Sequence, residues 1–331
     1  MTNPNSQIWQ TPVGLVRAKD GGLTFLESSR NMSPIAVFPT YGQLVRVSAS
    51  GAVLGASAFL EHVGACNANY VSQSYQPRAL AVNADGNYLV AGSVAALDPQ
   101  NGSSQLNLTL FDASGAQLWG RHIEATPATR SVEANSISAI GDNFFVTGRI
   151  SQQGRSMTGF GLLISKSGQI AWWKSFGAAS ASLLPFNNVA AAGALYVTGL
   201  APVANQAELF VARWDVAGAS LRGLTYGDVG SEAGVRIAPA ASGGFNAFGL
   251  SVSSFGNVAV AAWALRLDAQ LRINLDVGNA AVYQPALVNE TAAETVTCVG
   301  PGHYVATTPT VQELNANATT TTIGGAYQAT P

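Results

Sequence analysis

One phrase recurs along this chain at intervals of roughly 50 residues, a period that confines it to architectures assembled from small repeated sheet units. It reads ALAVNADGNYLVAG at 79–92, SISAIGDNFFVTG at 136–148, NVAAAGALYVTG at 188–199 and RIAPAASGGFNAFG at 236–249. Each copy is two apolar segments joined by a reversal: Asn83-Ala84-Asp85-Gly86, Gly141-Asp142-Asn143, Ala192-Gly193-Ala194 and Ser242-Gly243-Gly244. Asp20-Gly21-Gly22 and Gly300-Pro301-Gly302 mark two further copies nearer the ends. Glycine admits the positive φ that a tight hairpin needs, so each phrase predicts a β-hairpin. The second strands are short: 23–26, 88–90, 144–146, 195–197, 245–248 and 303–306. A small residue usually closes them, as Gly92, Gly148, Gly199 and Gly249 do. Glycine in a strand marks a bend or a close backbone approach.

A second hairpin follows in each unit. GQLVRVSASGAVLGASAF, LNLTLFDASGAQLWGRHI, GFGLLISKSGQIAWWKSF and LFVARWDVAGASLRGLTY occupy 42–59, 106–123, 159–176 and 209–226. Their turns begin with Ser48, Asp112, Ser165 and Asp215 and end on Gly51, Gly115, Gly168 and Gly218. Ser or Asp bonds the local backbone and Gly lets the chain leave the turn. The fifth copy, 265–274, keeps Asp268-Ala269-Gln270 and drops the glycine. Four strands per unit, six units and no convincing helical period over 12 residues predict an all-β, six-bladed β-propeller with four-stranded antiparallel blades. The whole chain, 1–331, is expected to form this one domain.

In this order of parts the chain resembles the bacterial and phage β-propeller repeat proteins. Trp214-Asp215 sits where WD-repeat proteins carry their dipeptide, but the other units have Phe111-Asp112, Ile164-Ser165 and Leu267-Asp268. Those three units carry no Gly-His pair. Only Gly21-Gly22 and Gly243-Gly244 supply the double glycine of Kelch repeats within a hairpin turn. The motifs therefore belong to neither family, and neither family's partners are carried over. Ring closure is expected from the N-terminus. Gln7-Ile8-Trp9-Gln10 echoes Gln117-Leu118-Trp119 and Gln169-Ile170-Ala171-Trp172, which lie on fourth strands. Residues 6–11 would then supply the outer strand of the last blade, with 326–330 as the competing candidate.

Charge narrows the partners. Only 10% of the residues are charged and net charge is −2, against roughly 25% charged in typical globular chains. Lys19, Lys166 and Lys174 are the only lysines. No basic field exists to hold nucleic acid by counterion release. No apolar run reaches the length of a membrane-spanning helix, and MTNPNSQIWQ has neither the basic nor the apolar region of a secretory signal. A largely neutral polar surface suits a virion or an extracellular particle; the alternative location is the cytoplasm.

Catalytic chemistry finds no foothold in the sequence. His62, His122 and His303 lack zinc-motif spacing, and Cys66 and Cys298 are too few to close a metal site. Asp20, Asp85, Asp112, Asp142, Asp215 and Asp268 all fall in turns, where local geometry accounts for them. No cofactor, no metal and no catalytic residue is expected. Most tryptophans should fill the wedges between blades. Trp172-Trp173 differs, because neighbours on a strand point to opposite faces; one of the two is expected to be exposed, able to stack on a sugar or a partner. Glu61, His62 and Tyr70 of the long 61–77 loop complete the candidate binding residues. The leading functional expectation is a non-enzymatic structural or adhesive module contacting other proteins of a larger assembly, most plausibly a phage tail or virion appendage. The alternative is a propeller that binds or processes a surface glycan over its central channel.

Overall fold

A computed structural model describes residues 7–33, 36–59, 75–95, 104–125, 130–152, 157–177, 183–203, 206–227, 231–252, 261–273, 281–283, 286–289 and 292–298. Among the described residues five of the predicted first hairpins and four of the second form, and they pair into five antiparallel sheets. The first sheet is β1 (Gln7–Arg17), β2 (Leu23–Ser33), β3 (Ala36–Val47) and β4 (Val53–Phe59). The second is β5 (Tyr75–Val82), β6 (Tyr88–Ala95), β7 (Ser104–Phe111) and β8 (Gln117–Ala125). The third is β9 (Arg130–Ile140), β10 (Asn143–Gln152), β11 (Thr158–Ile164) and β12 (Ile170–Gly177). The fourth is β13 (Leu184–Ala191), β14 (Ala194–Val203), β15 (Gln206–Trp214) and β16 (Leu221–Tyr226). The fifth is β17 (Ser231–Pro239), β18 (Phe245–Val252) and β19 (Ala261–Leu267).

The turns follow the chemistry expected of them. In the second hairpins the amide of Gly51, Gly115, Gly168 or Gly218 donates to the carbonyl of Ser48, Asp112, Ser165 or Asp215. All four glycines have positive φ, between 70° and 89°. In the fifth unit Leu271 takes their place, donating to the Asp268 carbonyl at φ 67°. A side chain in that region strains the backbone by about 1–2 kcal/mol.

The glycines of the repeated phrase lie inside long strands rather than at strand ends. Their role is set by the strand beside them. Every first strand carries one bulged residue: Val13, Arg78, Asn135, Phe186 and Val235. Opposite or beside the last four stand Gly92, Gly148, Gly199 and Gly249. A bulge bends its strand and brings backbone inward. A Cβ on Gly148 would lie 2.0 Å from the Glu133 carbonyl oxygen, and one on Gly199 equally close to that of Leu184. At Gly148, Gly199 and Gly249 the backbone of the bent partner strand occupies that space, and at Gly92 the ring of Tyr75 does.

The sheets pack face to face in chain order, with an apolar core at each junction. Leu26, Leu44, Tyr75, Leu80 and Phe111 join the first to the second. Leu108, Trp119, Phe144, Phe160 and Trp173 join the second to the third. Phe145, Phe176, Phe210 and Trp214 join the third to the fourth, and Tyr196, Tyr226, Ile237 and Phe245 the fourth to the fifth. Phe144 and Phe145 face opposite cores, both fully buried. Strands covered on both faces lose hydrophobic alternation, which explains runs such as Asn143-Phe144-Phe145-Val146. Polar bonds lace the first strands together. The Asn135 side-chain amide donates to the Pro185 carbonyl at 2.6 Å, and the Ile237 amide donates to Asn187 Oδ1 at 3.0 Å. The faces of the first and fifth sheets that no described sheet covers expose Leu15 and Leu23, and Phe248 and Leu250.

One expectation about the chain ends is corrected. Gln7–Arg17 is one strand, and Gln7 to Thr11 pair with Met32 to Ser28 of β2. The N-terminal segment thus extends the first sheet instead of completing a last blade, because β2 runs on to Ser33 and offers it a continuous partner. Of the sixth unit, the described residues include only the segment before its turn. The chain doubles back through β20 (Ala281–Tyr283), β21 (Ala286–Asn289) and β22 (Ala292–Cys298). These add to the outer edges of β16, β12 and β8, in that order. The strand preceding Gly300-Pro301-Gly302 is therefore a fifth strand of the second sheet. It satisfies edge amides and carbonyls there. The 303–306 strand, the 326–330 segment and Cys66 lie outside the described residues.

Gly148→Ala and Gly199→Ala are expected to destabilise the protein by about 1–3 kcal/mol each, through steric overpacking. Gly51→Ala, where φ is 89° and no atom lies within 4 Å of the new Cβ, should cost only the conformational strain, about 1 kcal/mol. Urea unfolding midpoints measure both; a Gly51 effect exceeding that of Gly148 would contradict the bulge account.

Candidate functional site

Adjacent sheets diverge toward their outer strands, and the chain closes each wedge by reaching for a carbonyl of the next sheet's turn. Between the first and second sheets, Arg46 Nη1 donates to the Ala113 carbonyl at 2.6 Å, and the Ser57 hydroxyl to the Gly115 carbonyl. Between the second and third, the Trp119 indole N–H donates to the Lys166 carbonyl at 2.8 Å. Lys166 also bridges Asp85 and Asp142 at 2.8 Å each. The Lys166 ammonium bonded to Asp85 holds that carboxyl below its usual range. Between the third and fourth, the Trp172 indole donates to the Val216 carbonyl at 2.8 Å. Beneath these indoles lie their cross-strand partners, Leu110 and Leu163.

The fourth wedge breaks the pattern. By register Arg213 stands where Leu110 and Leu163 stand, and Arg222 where Trp119 and Trp172 stand. Among the described residues the wedge is held deeper in, where the Tyr226 hydroxyl donates to the Leu271 carbonyl at 2.6 Å. Burial raises the Tyr226 phenol above its ordinary value, so it remains a donor. Outside that bond the sheets part and leave a cleft of about 830 Å³. Tyr196, Arg213, Arg222 and Leu224 line one wall, and Leu271 and Arg272 the other. Tyr196, Arg213 and Arg222 form one row across β14, β15 and β16. The strained Leu271 sits on the facing turn, and strain of that kind gathers at sites where geometry serves a purpose beyond stability.

The carboxylates at the rim are already occupied. Asp215 accepts from the amides of Ala219 and Ser220 and from the Ser220 hydroxyl. Burial pushes its carboxyl up, but these bonds outweigh that and leave it below the usual carboxylate range. Asp268 accepts from the amides of Gln270 and Arg272. Among the described residues no three His, Cys, Asp or Glu side chains converge as a metal-binding group.

The residues expected from sequence are placed differently. Trp173 is buried at 4% exposure against Phe160. Trp172 is half-buried, packed between Phe145 and Trp214 with its indole N–H committed to the fourth sheet. The expectation that one of this pair stands free for stacking is corrected, since both faces of β12 are covered by neighbouring sheets. Glu61, His62 and Tyr70 lie outside the described residues. His122 is buried beside Gln105, its side-chain partner. The arginine row escaped the sequence reading. Aligning the units would have shown it, as Leu and Trp in two copies give way to Arg and Arg in a third.

No protein-family model matches the chain, and no curated protein matches it. Among solved structures, a levansucrase mutant from B. megaterium aligns over 87% of this chain and 87% of its own, at 6% identity and a TM-score of 0.40. Likeness at that level carries no argument about activity.

If the fourth wedge is open at a cost to packing, restoring the repeat should stabilise the fold. The double variant Arg213→Leu, Arg222→Trp is expected to raise stability by about 1–2 kcal/mol, from newly buried apolar area and removal of like charges. A raised thermal or urea midpoint would agree; an unchanged or lowered one would show that the wedge is not an interrupted copy of its neighbours.

Proposed function

We propose that the protein is a non-enzymatic binding module whose sheets are the blades of a propeller and whose ligand sits where two blades part. The carrying observation is the cleft between the fourth and fifth sheets, open where the second and third wedges are closed by Leu–Trp pairs. Propeller geometry is supported by face-to-face packing in chain order and by adjacent first strands. The six-blade count belongs to this proposal: the apolar faces bearing Leu15 and Leu23, and Phe248 and Leu250, are surfaces a further blade would cover. A rigid stack of sheets with binding groups at its loop-lined margin is suited to recognition rather than turnover.

The setting we favour is a larger assembly such as a phage tail or virion appendage, contacting other proteins of that particle. Its support is the low charge and lysine content of the sequence. The second reading, a glycan-recognising propeller, draws on the cleft itself, which is of small-ligand size.

Co-sedimentation with host polysaccharides and cell-surface fractions should show retention of a ligand or partner, while assays for released reducing ends stay at background. Release of sugar ends above background would contradict the non-enzymatic reading. Absence from purified particles of the host system would contradict the assembly setting.

A further inference from the structure

The positive charge in the fourth wedge has no internal use. Arg213 and Arg222 are directly opposed on β15 and β16, and like charges so placed destabilise a sheet. Arg272 adds a third guanidinium from the facing wall. None of the three side chains makes a hydrogen bond or ion pair among the described residues, whereas the arginines at the same register in other sheets do. Arg46 donates to the Ala113 carbonyl, and Arg266 to the Ser242 hydroxyl and the Gly243 carbonyl. Lys and Arg together number only 16 in the chain, so three at one cleft is a concentration of a scarce resource. The nearest acids, Asp215 and Asp268, are committed to their own turns.

We propose that this cleft binds an acidic saccharide, with a sugar carboxylate held between Arg213 and Arg222; the proposal rests on the binding-module reading above. Guanidinium forks match the two oxygens of a carboxylate, and two of them stand side by side on a rigid sheet. Arg272 supplies donors for a second acid group or a hydroxyl of an adjoining ring. Gly223, Leu224 and Leu271 give a small, apolar floor for the C–H face of a pyranose. The volume lies within the roughly 300–1,000 Å³ typical of small-molecule sites. An extended peptide cannot add to the β16 side of the cleft, because adding a strand needs a free edge. The β16 edge beside the cleft is taken: β20 pairs there through Gly223, Leu224 and Thr225.

The test is calorimetric titration of the full chain with a glucuronic acid trisaccharide, a glucose trisaccharide and a hexaglutamate peptide. The uronate alone should bind, and more weakly as salt rises. Arg213→Ala and Arg222→Ala should each weaken it about tenfold or more, the loss of a charged hydrogen-bonding partner. Arg213→Lys keeps the charge but not the fork, and should fall between. Arg266→Ala, at the same register outside the cleft, should bind as the parent does. Circular dichroism of each variant separates lost binding from lost folding. Silence toward the uronate, equal binding of the neutral trisaccharide, or tighter binding of the peptide overturns the assignment, as does an Arg266→Ala loss equal to that of Arg213→Ala. Retention of some other ligand with the uronate silent would sink this proposal and leave the binding-module reading intact. Cleavage of the uronate would sink that reading instead.

Discussion

A single extra residue in the first strand of each sheet governs how these sheets can approach one another. At Asn135, Phe186 and Val235 the strand bulges, and the backbone it pushes inward needs a neighbour without a side chain. Gly148, Gly199 and Gly249 provide it. At one bulge the extra residue also reaches the next sheet, the Asn135 amide donating to the Pro185 carbonyl. First strands are thereby held close while the outer strands diverge. Every wedge between sheets follows from that constraint.

Wedges need filling, and the chain has two ways of treating them. Where Leu and Trp oppose each other across the third and fourth strands, the indole spans the gap and donates to a turn carbonyl of the next sheet. That contact buries a large ring and satisfies its N–H at once. Where Arg opposes Arg, neither happens, and Tyr226 alone closes the inner end. Placing unpaired charge at a position that sibling sheets use for packing is the signature of a site held open against stability. Leu271 at positive φ on the facing wall adds to that cost. Sites of this kind sit at the margin of a rigid body and leave its inner cores intact.

Much of this was legible beforehand. The hairpins, their turn residues and the wedge-filling role of Trp119 and Trp214 follow from local chemistry that recurs copy after copy. The glycines were visible as a signal, but their reason was not. A bulge is a relation between two strands, and the bulged residues Arg78, Asn135, Phe186 and Val235 share no side-chain type. Edge pairing was hidden for the same kind of reason. Backbone hydrogen bonds carry no residue signature, so nothing in Gln7-Ile8-Trp9 said it would stay with β2. Nor did anything in Ala292–Cys298 say it would lie along β8. Trp172 was misjudged because strand alternation predicts one exposed face, and β12 has none. The arginine row was readable only by comparing units position by position.

The central claim is that four like wedges exist and that one of them is kept open by a charged pair. A crystallographic map that resolves side chains across all the junctions tests it most directly. The account predicts the indoles of Trp119 and Trp172 on the carbonyls of Lys166 and Val216. It also predicts a solvent-filled gap between Arg213, Arg222 and Arg272. A map in which packed side chains close the fourth wedge as they close the second and third would contradict it.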